Sequence, residues 1–226
     1  MNIQDDFVCE LAAFFKHGKE IIAIGFSSFI CSLEVGFMIV LFNNQIMRWL
    51  GSDELAVYGV ASNLFTLVQT FSYGIGNGAQ PIVAENLGAR QWGRIRETRN
   101  LGCITAAVIG GAAVSVSLLF PSKIIGFFMN PSNEAAAAAP SILRKYFLCL
   151  LFVPFNVFAT YYLQSVKQIK KSVTLSILRC FLLSGLFVSI FPVIFGADSI
   201  WFVMVSAECI TAVTAVFLIT RKIFSA

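Results

Sequence analysis

The chain has 226 residues, of which 58% are hydrophobic, 14% aromatic and only 12% charged, with a formal net charge of +4. A soluble domain carries about 25% charged residues, so this composition and a mean hydropathy of +0.81 exclude disordered, fibrous and secreted disulfide-scaffold classes and argue against a soluble enzyme. The chain reads as an all-α integral membrane protein.

Residues 1–20 precede the first apolar run. Phe7, Leu11, Phe14 and Phe15 recur there at helical spacing, with Asp6, Glu10 and Lys16 between them. This pattern fits an amphipathic helix in the membrane interface, and equally a polar, unstructured lead. Asp5, Asp6 and Glu10 replace the basic start of a secretory leader, so no cleavable signal is expected. A helix needs ~20 apolar residues to cross the bilayer core. Residues 21–222 supply six such spans, at about 21–47, 55–84, 101–120, 141–166, 173–195 and 199–220. Their connections are short and rich in helix breakers, and the run Ala135–Ala139 is expected to open the fourth helix.

Charge placement sets an orientation. With the N-terminus cytoplasmic, the inner side holds Lys16, Lys19, Arg90, Arg94, Arg96, Arg99, Lys167, Lys170, Lys171, Arg221 and Lys222. The outer side holds Arg48, Lys123, Arg144 and Lys145. This bias predicts a multi-pass cell-membrane protein with both termini cytoplasmic.

Polar residues within the spans carry the functional information. Glu34 lies about 21 Å into the first span at 1.5 Å per residue. A carboxylate near the midplane is costly unless hydrated, paired or protonated, which suits a group that trades a proton or binds a cation; a structural hydrogen bond is the alternative. In the second span Asn63, Thr66, Thr70, Tyr73, Asn77 and Gln80 follow intervals of three and four and share about a third of the helix circumference. Lipid cannot satisfy amides, so the stripe either bonds to neighbouring helices or walls a water-filled cavity. Gly102, Ala106 and Gly110 of the third span, and Ala107, Gly111 and Ser115 beside them, form small-residue faces suited to close helix packing. In the fourth span Asn156, Thr160 and Gln164 repeat the polar stripe at four-residue intervals and are expected to line the same substrate cavity as Asn63 to Gln80, and Pro154 is expected to kink the helix. Arg179 and Glu208 fall at similar depth on consecutive antiparallel spans and are expected to form a structural ion pair. The sharper alternative makes Glu208 a second proton or cation site.

Other chemistry finds little support. Six scattered cysteines and one histidine match no metal spacing. Gly74–Gly78 lacks the Gly-Lys-Ser/Thr ending of a phosphate loop, and no catalytic set appears. No enzyme activity, cofactor or nucleic-acid partner is expected.

The stretch Gly74-Ile75-Gly76-Asn77-Gly78-Ala79-Gln80-Pro81, continued by Asn86-Leu87-Gly88-Ala89-Arg90 and Arg94, resembles multidrug and toxin extrusion (MATE) transporters. Tyr162–Ser165, Ser176–Arg179, Pro192, Gly196, Trp201 and Ser206–Thr211 extend the likeness over roughly residues 16–222. The resemblance implies the C-terminal six-helix lobe, helices seven to twelve, of an antiporter that exports cationic or amphipathic drugs on a Na⁺ or H⁺ gradient. Residues 1–20 match the connector between lobes, and Glu34 takes the place of a seventh-helix acid implicated in cation coupling. Residues 146–166 contain no acid, unlike the tenth helix of some members. A second six-helix lobe is implied as partner. It would be the missing N-terminal half or a second copy of this chain, since parallel repeats make a homodimer geometrically possible. A lipid-linked polysaccharide flippase of the same superfamily and an inert structural fragment are the rival expectations.

Overall fold

Apolar runs of this length leave the backbone one solution in lipid, which is to bond to itself as helix. The computed structural model describes residues 36–128 and 134–220, with six isolated positions before residue 36. It forms nine α-helices among the described residues. Helix α1 covers 36–49, α2 Ser52–Gly88, α3 Trp92–Leu119, α4 Pro121–Phe128 and α5 Glu134–Tyr146. Then follow α6 Val153–Ser165, α7 Ile169–Ile177, α8 Ser184–Phe195 and α9 Ile200–Thr220. The lead of 1–20 apart from Gly18, together with Glu34 and much of the first expected span, lies outside the described residues.

Short irregular pieces join several helices into rods. A 3-10 segment, Phe147–Leu151, links α5 to α6, and a π segment, Leu178–Leu183, links α7 to α8. The rods thereby become Ala137–Ser165, Ile169–Phe195 and Ala197–Thr220; with α3, these four helices are long and apolar enough to cross a membrane. Helix α2 has 37 residues, or about 55 Å at 1.5 Å per residue. It is long enough to cross, but its polar stripe dilutes its apolarity.

Two tight turns close the same end of the lobe. Arg90 (φ 55°) and Lys167 (φ 61°) take the left-handed conformation just past α2 and α6. Behind them Gln91 N–H donates to Asn86 O and Gln168 N–H to Leu163 O, each at 2.8 Å, which satisfies carbonyls a helix end leaves open. The basic stretch Trp92–Asn100 is not loop: α3 begins at Trp92, nine residues before its apolar run.

Helix α6 is the hub. It packs against α2, α3, α7 and α9, and ten of its thirteen residues are buried. Glycines permit this approach. A Cβ on Gly76 of α2 would fall 2.6 Å from the Tyr161 ring, and one on Gly102 of α3 would overlap Phe158. Gly110 meets the Leu150 carbonyl, which a Cβ would approach to 2.7 Å. That carbonyl lies four residues before Pro154, whose missing N–H denies it an α-helical donor. The proline sits in the first turn of α6, just after the 3-10 segment, so it interrupts the α-helical ladder there rather than within α6. Of the two small-residue faces on α3, the one with Gly102, Ala106 and Gly110 is buried, whereas Ala107 and Ser115 are exposed.

Candidate functional site

Helix α2 divides into three faces at about 100° per residue. The first, with Val57, Tyr58, Ala61, Phe65, Gln69, Ser72, Gly76 and Val83, is buried in the lobe. The second carries Leu67, Phe71 and Ile82, apolar and 55, 60 and 49% exposed. The third is the polar stripe. Asn63, Thr66, Thr70 and Asn77 are exposed on it, and Tyr73 and Gln80 are half-buried. From Asn63 to Gln80 it runs about 25 Å, close to the ~30 Å thickness of a hydrocarbon core.

Among the described residues, Thr66 and Thr70 of the stripe turn back on their own helix, while Tyr73 and Gln80 meet α6. Thr66 Oγ1 donates to Ser62 O at 2.8 Å and Thr70 Oγ1 to Thr66 O at 2.9 Å, both within α2. Gln80 Nε2 donates to Gln164 Oε1 of α6 at 3.2 Å. The rings of Tyr73 and Tyr161 lie 6.0 Å apart, tilted by 49°, seated where Gly76 leaves room.

The second stripe has the opposite fate. Asn156, Thr160 and Gln164 were expected on a cavity wall beside α2; they are 0, 2 and 2% exposed. The reason is the position of α6, which neighbours enclose, so polar atoms on it must find partners inside the lobe. Asn156 Nδ2 donates to the Glu208 carboxylate at 2.6 Å and to the Glu208 carbonyl at 2.9 Å. Thr160 donates to Asn156 O at 3.0 Å, and its own carbonyl accepts from Ser172 Oγ at 3.1 Å.

Arg179 and Glu208 meet as the depth arithmetic requires. Arg179 Nε lies 2.7 Å from Glu208 Oε1, with side chains 4 and 1% exposed. Asn156 holds the other carboxylate oxygen, so the ion pair is a three-residue network that joins α6, the π segment and α9. Sequence reasoning paired the charges and placed Asn156 on a different surface. The carboxylate's need for a second donor was the signal that links them.

One polar residue escaped sequence reading altogether. Gln69 is 1% exposed, and neither its Nε2 nor its Oε1 meets a hydrogen-bond partner among the described residues. It borders a cavity of about 20 Å³ with Ser62, Thr66, Tyr58, Tyr146 and Met204. Its neighbours in sequence on the stripe, at 66, 70 and 73, drew attention away from it, since a lone glutamine one step off a pattern carries no periodic signal. No group of three metal-ligating side chains occurs among the described residues.

Comparison with known proteins identifies the fold. The MatE family model matches residues 24–190. The probable multidrug resistance protein YoeA of Bacillus subtilis (strain 168) is 24% identical over 102 residues, 45% of this chain and 22% of that protein. An outward-facing multidrug resistance MATE transporter of the MOP superfamily superposes with a TM-score of 0.83 at 19% identity, over 90% of this chain and 46% of that one. A MOP superfamily transporter from Pyrococcus furiosus, described as having a binding pocket of reverse polarity, gives 0.82 at 20% identity, with the same 90 and 46% coverage. The chain thus spans about half the length of these structures. A helical membrane lobe of this shape, with the family match running through three-quarters of its residues, belongs to the MATE (MatE) transporter family.

Proposed function

We propose that the chain forms the C-terminal half of a cation-coupled antiporter that exports cationic or amphipathic drugs across the plasma membrane, with both termini cytoplasmic. The observation that carries this reading is the exposed polar face of α2, with amides at Asn63 and Asn77. Amides facing lipid would cost several kcal/mol, so water or a second lobe must meet them. A second six-helix lobe, either an N-terminal half or another copy of this chain, closes the other side of the vestibule. Half-length coverage of the matching structures supports the need for such a partner.

Substrate lies against Asn63, Thr66, Thr70 and Asn77, and a cationic group stacks on Tyr73 and Tyr161. Asn156, Thr160 and Gln164 support this wall from behind, Gln164 through its bond with Gln80, and do not touch substrate. Glu34 is the coupling group: H⁺ or Na⁺ bound there biases the inward- against the outward-facing state by its differential affinity for the two. The YoeA likeness, carrying the words multidrug resistance, supports the substrate class. The neutral stripe argues against a flippase, whose pyrophosphate-linked substrate wants cationic walls.

Dye efflux from cells expressing this chain joined to a complete N-terminal lobe, and from cells expressing it alone, tests the reading. Efflux by the joined protein is expected, together with its loss in Glu34→Gln. Full gradient-driven efflux by Glu34→Gln refutes the coupling role; no efflux by the joined protein leaves the inert-fragment reading in its place.

A further inference from the structure

A groove of about 430 Å³ runs between α2 and α3 and is lined as well by Phe147 and Leu150 of the 3-10 segment before α6. Leu67 and Phe71 form one bank, Ile109, Ala112 and Val116 the other, and Ile124 of α4 closes one end. Its lining is almost wholly apolar. Ser117, the polar exception, turns its hydroxyl to Ala113 O at 2.7 Å. The α3 bank continues into Leu101, Ile104 and Val108, 64, 60 and 64% exposed. A helix so apolar on its outer face borders hydrocarbon rather than water. An unfilled recess there would forfeit dispersion contacts along its whole lining, so the surrounding hydrocarbon must enter it.

Depth and charge narrow the occupant. From Ile109 to Val116 the groove extends about 10 Å along α3, within the ~15 Å hydrocarbon half-thickness of one leaflet. Its closed end lies at α4, a one-sided helix that buries Pro121 and Ile125 and exposes Phe127 and Phe128 at 84 and 50%. Such a helix belongs at the headgroup level. Lys123 precedes the groove-lining Ile124, with Nζ 5.4 Å from the Phe120 ring, and α4 carries no acid to neutralise it. A channel for an acyl chain therefore ends one residue along α4 from an exposed lysine.

We propose that the groove between α2, α3 and α4 binds one glycerophospholipid, with an acyl chain along α3 and the phosphate held by Lys123. This site is separate from the polar stripe, which lies on another face of α2, and stands whether or not the transport reading does.

Native mass spectrometry of the full chain, released from vesicles of phosphatidylglycerol and phosphatidylethanolamine, provides the test. The wild-type chain is expected to retain one phospholipid, with phosphatidylglycerol favoured. Ala112→Phe and, independently, Val116→Trp fill the groove from exposed positions and are expected to abolish retention, whereas Ala107→Phe on the other face of α3 leaves it intact. Lys123→Gln is expected to cut the preference for phosphatidylglycerol by roughly fivefold. Unchanged retention in both groove-filling variants overturns the proposal, as does a wild-type chain free of lipid. A dimer that Ala112→Phe dissociates also overturns it, because a second copy would then be the occupant. Retention lost in the groove variants but indifferent to Lys123→Gln overturns the headgroup assignment.

Discussion

Helices α2 and α6 pack side by side and carry the same kind of stripe, amides and hydroxyls at three- and four-residue intervals. On α2 most of that stripe is exposed; on α6 all of it is buried. A sequence pattern reports only that one side of a helix needs a partner. The number of neighbouring helices decides whether that partner is protein or water. Helix α6 lies inside a ring of four, while α2 keeps one face uncovered by the described residues.

The strongest way to sharpen this contrast is to damage the α6 side. Arg179→Leu strands a buried carboxylate and should cost about 3–5 kcal/mol, read as a fall in the unfolding midpoint in detergent. Arg179→Leu with Glu208→Leu should recover most of that loss. A double variant as unstable as the single would show that the pair does not act as a unit. Asn156→Ala removes the second donor to Glu208 and should cost about 1.5–3 kcal/mol, the range for hydrogen bonds to charged groups.

Packing gives a middle-sized contrast within α3. Gly110→Ala drives a methyl against the Leu150 carbonyl and should cost about 1–3 kcal/mol. Gly111→Ala next to it meets nothing within 4 Å and should gain up to about 1 kcal/mol from helix propensity. Equal effects at the two positions would mean that the 3-10 segment before α6 does not press on α3 as described. The smallest effect on stability belongs to α2. Thr66→Val and Thr70→Val should change the unfolding midpoint by less than about 0.5 kcal/mol while reducing dye efflux in the two-lobe protein. Cysteines placed at 66, 70 and 77 should react with aqueous thiol reagents, whereas those at 156 and 160 stay protected. Protection at all five positions would break the comparison and remove the vestibule with it.

Much of this architecture was legible before any coordinates. Lengths of apolar sequence set the rods, and antiparallel depth arithmetic brought Arg179 to Glu208 across 29 positions. The Gly102–Gly110 spacing marked a true packing face. Three features were not legible. The α6 stripe was read as cavity wall because periodicity says nothing of how many neighbours surround a helix. The start of α3 was hidden because charged residues continue a helix into water without any hydropathy signal. Gln69 was missed because burial of a single amide depends on tertiary enclosure. Glu34 and all of residues 1–20 but Gly18 fall outside the described residues, so their assignments rest on the sequence alone.

The π segment at Leu178–Leu183 has a consequence for how this lobe tolerates change. The π segment winds one surplus residue into its turn, and at its end Ser184 Oγ donates to the Arg179 carbonyl, five positions back, at 2.8 Å. That surplus sets the azimuth of everything beyond it: α8 is swung by roughly 100° relative to an uninterrupted α-helix. The guanidinium can therefore aim at α9 while the faces of α7 and α8 are set independently. Removing any one of the six residues would restore a regular helix and misalign the two halves at once, so this short stretch is far less forgiving of length than its plain, apolar composition suggests.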